Sequence, residues 1–419
     1  MATILNEVYR MNEQKYNLEE SLAELDQLFY LSAEETDKTA CEALAEKARI
    51  IYEQYPESED IALRYAMILF NLSIVQTELK ELETTVEKSE TLQQQFKDSP
   101  DIALRYARIL VNLSTKQTEL KELETTVEKL ETLQQQFQDS HDIAEAFARI
   151  MFNLSIIQTE LKERKATVEK LETLQQQFKN SPDIALRYAM ILFNLSIVQT
   201  ELKEIEATAE KLETLQQQFK NSPDIALRYA RILVNLSTKQ TELKERKATV
   251  EKLETLQQQF KDSPDIALQY AMILFNLSNK QTELNKLETT AKKLQELHEH
   301  EPFRKSEEIA FIYSILLASL FNHQAELDAR LQTTKIIKKL YEEFSNFMLQ
   351  NFDDLFFSND NVCDSKKYML FNFILREGLL KNTKYAVLQT WAKHYKEDSS
   401  ELKNLLSIYQ LVQKIKYHL

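Results

Sequence analysis

The sequence predicts an all-α protein: a right-handed α-solenoid of stacked two-helix repeats, closed by helical caps. Three observations carry that expectation. The string Asp-Ile-Ala-Leu-Arg-Tyr-Ala begins at Asp60, recurs at Asp101, Asp183 and Asp224, and is altered at Asp142 and Asp265, in steps of 41 residues. Apolar residues inside each copy recur three and four apart, the spacing of a helix face. Finally, the 419-residue chain holds one glycine, Gly378, and six prolines, where roughly 30 glycines are average. Without glycine the backbone keeps to ordinary conformations. Phosphate-cradling loops, dinucleotide-binding turns and nucleophile elbows, which need glycine, are disfavoured with it.

Residues 1–59 read as an N-terminal helical cap that includes a degenerate repeat. Leu18, Leu22, Leu25, Leu28 and Phe29 supply its apolar face, and Cys41–Tyr55 matches the second half of a repeat, with Ile51 and Tyr55 in the places of Leu92 and Phe96. Six helical-hairpin repeats fill 60–305. In the first of them, the spacing predicts a first helix from Pro56 or Ser58 to Lys80. Ile61, Tyr65, Ile68, Leu69, Leu72, Val75 and Leu79 share one broad face, and Leu63, Phe70 and Ile74 lie nearly opposite. A helix apolar on both sides is packed between neighbours or lines a groove. Its polar strip is narrow: Arg64, Asn71 and Glu78. Later copies open with Ser99-Pro100-Asp101 or its equivalent, an N-cap followed by a first-turn proline and an acidic residue against the helix dipole.

The second helix, Glu83 to Lys97, is one-sided. Leu82, Val86, Leu92 and Phe96 share a face, and the rest, including Gln93-Gln94-Gln95, reads as solvated outer surface. One hairpin cannot cover its own apolar faces, although each buried side chain is worth about 1.5–3 kcal/mol. Stacking covers them. With helices 8–10 Å apart, eight repeats are expected to make a curved rod on the order of 80 Å, first helices inside and second helices outside. Residues 306–345 form a degenerate seventh repeat after a two-residue insertion, recognised by Glu308-Ile-Ala-Phe-Ile-Tyr-Ser. With the degenerate N-terminal copy, the count is eight. Residues 346–419 change composition, with Phe347, Phe352, Phe356, Phe357, Phe371, Phe373 and Trp391. Helices are expected at Lys366–Arg376, Thr383–Tyr395 and Glu401–Tyr417. The region reads as a cap sealing the last repeat, or as a docking or dimerisation module.

The two-helix repeat, Pro100 ahead of the next first helix, Tyr106 near its start and Phe96 near the end of the second helix resemble the tetratricopeptide repeat family over roughly residues 19–345. The family's repeat has 34 residues; this one is seven longer, and Leu110 stands where the family's glycine is usual. By length, HEAT and armadillo repeats at about 40–47 residues are the second choice. Armadillo repeats normally use glycine-assisted bends and a short extra helix, and the repeats here have no glycine.

The candidate binding surface is the phased polar row of the first helices. Asn71 recurs as Asn112, Asn153, Asn194, Asn235 and Asn276. Arg64 recurs as Arg105, Arg187 and Arg228 but becomes Ala146 and Gln269, and three residues on the array runs Met67, Arg108, Arg149, Met190, Arg231, Met272. An evenly spaced carboxamide ladder can bond the backbone of an extended peptide, and adjacent arginines favour an acidic segment. The competing reading has Asn and Arg bonding across neighbouring repeats to hold the stack together. The expected role is a non-enzymatic scaffold or adaptor that binds a protein or peptide segment. The alternative is a regulatory or sensor subunit that transmits a ligand signal through the C-terminal region.

Net charge is −14, which disfavours nucleic acid as a partner, since phosphate neutralisation dominates that affinity. Glu78 and its copies on the same strip add to this. Two cysteines, Cys41 and Cys363, suit a reducing compartment. The N-terminus has no basic-then-apolar leader pattern, and Ala310 to Phe321 is too short to span a bilayer; a cytoplasmic protein is expected. Asn71-Leu72-Ser73 matches a glycosylation acceptor but lies mid-helix. His298-x-His300 has no phased third ligand and reads as a solvated turn. No catalytic residues, metal or cofactor are expected, and the oligomeric state is open.

Overall fold

The computed structural model describes residues 17–344 and Phe347, and these residues form sixteen helices and no strands. The fold is all-α, with helices in successive packed pairs. In order they are α1 (Leu18–Glu34), α2 (Lys38–Gln54), α3 (Glu59–Val75), α4 (Leu79–Gln95), α5 (Pro100–Ser114), α6 (Leu120–Gln136), α7 (His141–Ile157) and α8 (Leu161–Gln177). There follow α9 (Pro182–Val198), α10 (Leu202–Gln218), α11 (Pro223–Lys239), α12 (Leu243–Gln259), α13 (Pro264–Ser278), α14 (Leu284–Glu299), α15 (Glu307–His323) and α16 (Leu327–Glu343). Residues 1–16 and the expected helices beyond Lys366, with the cap or docking module they would build, lie outside the described residues.

The chain divides into two compact units, Met1–Arg228 and Tyr229–Leu419. In the first, each odd helix packs on the next odd helix, α1 on α3, α3 on α5, α5 on α7 and α7 on α9. Each even helix α2, α4, α6 and α8 wedges between its own odd helix and the following one. The second unit repeats the scheme with α13 on α15, α12 against α13, and α14 between α13 and α15. Ile61, Ile68 and Leu69 of α3 are fully buried, with Leu82 of α4 at the same layer, and the pattern recurs as Ile102, Ile109, Leu110 and Leu123. The first pair already keeps the register: Leu18 to Glu59 and Lys38 to Leu79 are both 41 residues.

One boundary differs from the sequence expectation. The first helix of the repeat stops at Val75, and the second starts at Leu79 rather than Glu83. At 17 residues α3 is about 25 Å long, shorter than expected. The cause is Gln76. Its backbone is extended (φ −71°, ψ 128°) while its N–H still bonds Leu72 O, and its buried Oε1 accepts from Thr85 Oγ1 at 2.9 Å. The same bond, nine residues apart, closes the hairpins at Gln117–Thr126, Gln158–Thr167, Gln199–Thr208, Gln240–Thr249, Gln281–Thr290 and Gln324–Thr333. Glu78 therefore belongs to the start of α4, and the polar strip of the first helix is left with Arg64 and Asn71.

The helix ends explain how the repeats dispense with glycine. Helices α4, α6, α8, α10 and α12 end on Phe96-type residues at φ −107° to −113°, whose N–H bonds the carbonyl four residues back. Ser58, Ser140, Ser181 and Ser263 cap the following helices through side-chain oxygens; Ser99 is buried and makes no such bond. In three repeats an arginine closes the hairpin further, Arg330 by a bond to Gln324 O at 2.6 Å. Arg246, only 5% exposed, donates to Gln240 O and to Asn276 O of the next repeat at 2.7 and 2.9 Å. Arg164 donates in the same way to Gln158 O and Asn194 O. These guanidiniums satisfy carbonyls that a helix C-terminus leaves open.

Candidate functional site

The asparagine row is engaged across repeats. Asn71 Nδ2 donates to Ser32 Oγ at 2.8 Å, Asn112 to Ser73, Asn153 to Ser114, Asn194 to Ser155 and Asn276 to Ser237, all at 2.8–2.9 Å. Each serine in turn donates to the carbonyl three residues back. Asn235 is half-buried. Partners lie 39 residues apart, so the ladder ties α3, α5, α7, α9 and α13 each to the odd helix before it. The amide N–H used there is not offered to an outside backbone.

The arginines differ from one another. Arg64 Nε donates to Asp26 at 2.6 Å, one repeat back. In the next copy that place holds Met67, and Arg105 Nε is buried with no acceptor. Burial pushes the Arg105 pKa down, and neighbouring Arg108 adds to the shift. Arg187 lies over the Phe152 ring, 5.7 Å from its centroid, with Met190 Sδ at 3.7 Å; burial and Arg149 lower its pKa. Arg149 pairs with Glu145 at 2.6 Å. Arg228 and Arg231 are half-buried. Arg108 has no ion-pair partner among the described residues and lines a cavity of about 310 Å³ with Phe70, Val111, Ala146, Glu145 and Asp142. Here the third copy carries Ala146 where four of the other five repeats carry Arg, and Glu145 where all five carry Leu. A guanidinium at 146 would face Arg108, and the alanine avoids that repulsion.

An apolar row runs beside these arginines on the solvent side of α3, α5, α7 and α9. Phe70, Val111, Phe152 and Phe193 are half-buried. One turn on, Ile74, Ile156 and Ile197 are 61%, 57% and 58% exposed. Their counterparts are polar at Thr115, and in the second unit at Thr238 and Asn279. Tyr65 by contrast is buried on the packed face, stacked on Tyr52 at 5.5 Å.

The even helices carry ladders that the reading of a plain solvated surface missed. Lys129 bonds Glu90, Lys170 Glu131, Lys211 Glu172 and Lys293 Glu254, at 2.6–2.7 Å and 39 residues apart. Gln95, Gln136, Gln177 and Gln218, the third of their Gln runs, reach back to turn carbonyls, as Gln95 to Pro56 O and Gln177 to Gln138 O. His298 is a correction. It occupies the last turn of α14, 8% exposed, between Tyr313 and Phe344, and only His300 is at the expected turn. His141, Asp142 and Glu145 place donor atoms within 4.8 Å of one another. Glu145 is held by Arg149 and His141 Nε2 by Ser181 Oγ at 2.8 Å, so the cluster is already satisfied by protein groups.

No protein-family model matches the chain, and no curated protein matches it. A solved structure titled "Computational Design of Self-Assembling Cyclic Protein Homooligomers" aligns at 11% identity, over 84% of this chain and 99% of that one, with a TM-score of 0.10. What stands is the class: a regular helical-repeat array of sixteen described helices. No described helix is long and apolar enough to cross a membrane.

Proposed function

We propose that this chain is a non-enzymatic, cytoplasmic, tetratricopeptide-like scaffold whose first unit binds a protein segment on the solvent side of its odd helices. The observation that supports it is the apolar row of Phe70, Val111, Phe152 and Phe193 with Ile74, Ile156 and Ile197 beside it. Isoleucine at three equivalent surface positions, each more than half exposed, has no role in the stack. Contiguous exposed apolar surface marks an interaction site. Arg108 and the Arg149–Glu145 pair flank the row, which favours a segment that combines apolar and acidic residues. Adjacent helices are 8–10 Å apart, so successive apolar anchors match every third residue of an extended chain. The asparagines contribute by holding the helices in register.

The test uses the full chain as bait in its own cell extract. Ile156→Lys with Ile197→Lys is expected to release the segment that wild type retains, with helix content unchanged. Asn153→Ala is expected to retain it. A partner retained equally by the double lysine variant would remove the apolar row as the binding surface.

A further inference from the structure

A groove between successive even helices and the odd helix beneath them changes character along the second unit. Around Tyr270, between α12, α13 and α14, it holds a cavity of about 180 Å³, with a second of about 300 Å³ between the same helices nearer Gln281. Glu254 closes the first by taking the Tyr270 hydroxyl at 3.0 Å and the Lys293 ammonium at 2.7 Å. One repeat on, Gln295 replaces Glu254 and Ile336 replaces Lys293, so the bridge is gone. Gln295 turns instead to Glu299 at 2.8 Å. The groove widens to about 350 Å³, within the range of small-molecule pockets.

Four polar groups there lack a protein partner among the described residues. The Tyr313 hydroxyl, in the place of Tyr270, makes no hydrogen bond among the described residues, and the residue is 2% exposed. His298 replaces Gln257, and its Nδ1 is buried with no partner. Lys339 replaces Glu296 and forms no ion pair among the described residues, while Glu343 brings an equally unpaired carboxylate one turn away. Arg304 from the two-residue insertion also lines the wall, tied loosely to Glu301 at 3.5 Å. Burial holds His298 below the usual imidazole range, with Glu343 and Glu299 partly opposing. Ile336 and Leu340 give the apolar side. The lining thus offers cations, carboxylates, a neutral imidazole and an aliphatic wall, with balanced formal charge.

We infer that this groove is a binding site for a small zwitterion with an apolar body, an α-amino acid bearing an aliphatic or aromatic side chain. Its carboxylate accepts from the Tyr313 hydroxyl and pairs with Lys339. Its ammonium pairs with Glu343 and, in the tautomer that keeps the proton on Nε2, donates to His298 Nδ1. Its side chain packs on Ile336 and Leu340. Either half of the molecule alone leaves one unpaired charge facing the ligand.

Calorimetric titration of the full chain tests this with L-leucine and L-phenylalanine, against 4-methylpentanoate and 3-methylbutylamine as the separate halves. At least one amino acid is expected to bind saturably, at least tenfold more tightly than either half. Gln295→Glu with Ile336→Lys rebuilds the bridge present one repeat earlier and is expected to weaken that binding at least tenfold, with helix content and melting preserved. No saturable binding by either amino acid, equal binding of the acid or the amine alone, or unchanged affinity in the rebuilt variant would each overturn the assignment.

Discussion

Thr126 and Gln117 show what a single residue does in this array. Their buried side-chain bond, 2.9 Å long, ends one helix and starts the next without a left-handed residue. Thr126→Val keeps the shape and orphans the Gln117 oxygen, which costs about 1–2 kcal/mol; urea unfolding measures it. Arg246 makes the opposite case. Leucine or isoleucine fills its place at Leu82, Leu123, Ile205 and Leu287, so Arg246→Leu exchanges two carbonyl bonds for packing already proven elsewhere in the chain. The expected change is under about 1 kcal/mol. His298 links stability to pH. Its folded-state pKa lies below the unfolded value of about 6.5, because burial penalises the charged ring. As pH falls through 6.5 the unfolded chain takes up a proton that the folded chain refuses, so stability drops. His298→Gln, the residue found at Gln93 and Gln257, is expected to remove that part of the loss between pH 7.5 and 5.5 in urea midpoints. Neither the histidine's burial nor the Gln–Thr bond could be read from type alone. His298 lay at a repeat boundary and read as a turn, and Gln117 has its partner nine residues on, across a break that the apolar pattern does not mark.

At the scale of the helix, periodicity located the pairs from α3 onward, matched only the second half of the first pair, and ran the first helix of the repeat past its end. Val75 to Leu79 is apolar at helical spacing on both sides of the break, so hydrophobic pattern alone runs the first helix on to Lys80. Local bonding by Gln76 overrides it. The pattern correctly assigned Ile61, Tyr65, Ile68 and Leu69 to a packed face and left Phe70 and Ile74 opposite, where Phe70 is half-buried and Ile74 exposed. The asparagine row was legible as a row, but its use was not, because the accepting serines belong to the preceding repeat, 39 residues away. Asn153→Ala is expected to cost about 1 kcal/mol in thermal unfolding.

For the molecule as a whole, a 41-residue register and contacts 39 residues apart make the array modular. Deleting residues 101–141 brings Asn153 opposite Ser73 and Lys170 opposite Glu90, so every ladder closes again. Nearest-neighbour energetics predict a folded, shorter chain with a lower denaturant m-value, since less surface is exposed on unfolding; a molten product would contradict it. Repetition made the architecture readable, and the places where it lapses, Ala146 in one unit and Gln295 with Ile336 in the other, are where the surface departs from structural need. Those departures draw their meaning from neighbours in space, which is why the sequence marked them only as imperfect copies. The central claim is that the apolar row of the first unit holds a protein segment. A photo-crosslinking residue at Ile156, with Thr132 on the even-helix face as the control, tests it most directly. A discrete crosslinked segment containing apolar and acidic residues is expected at position 156 and none at 132. No crosslink at 156, or equal crosslinking at both positions, would contradict it.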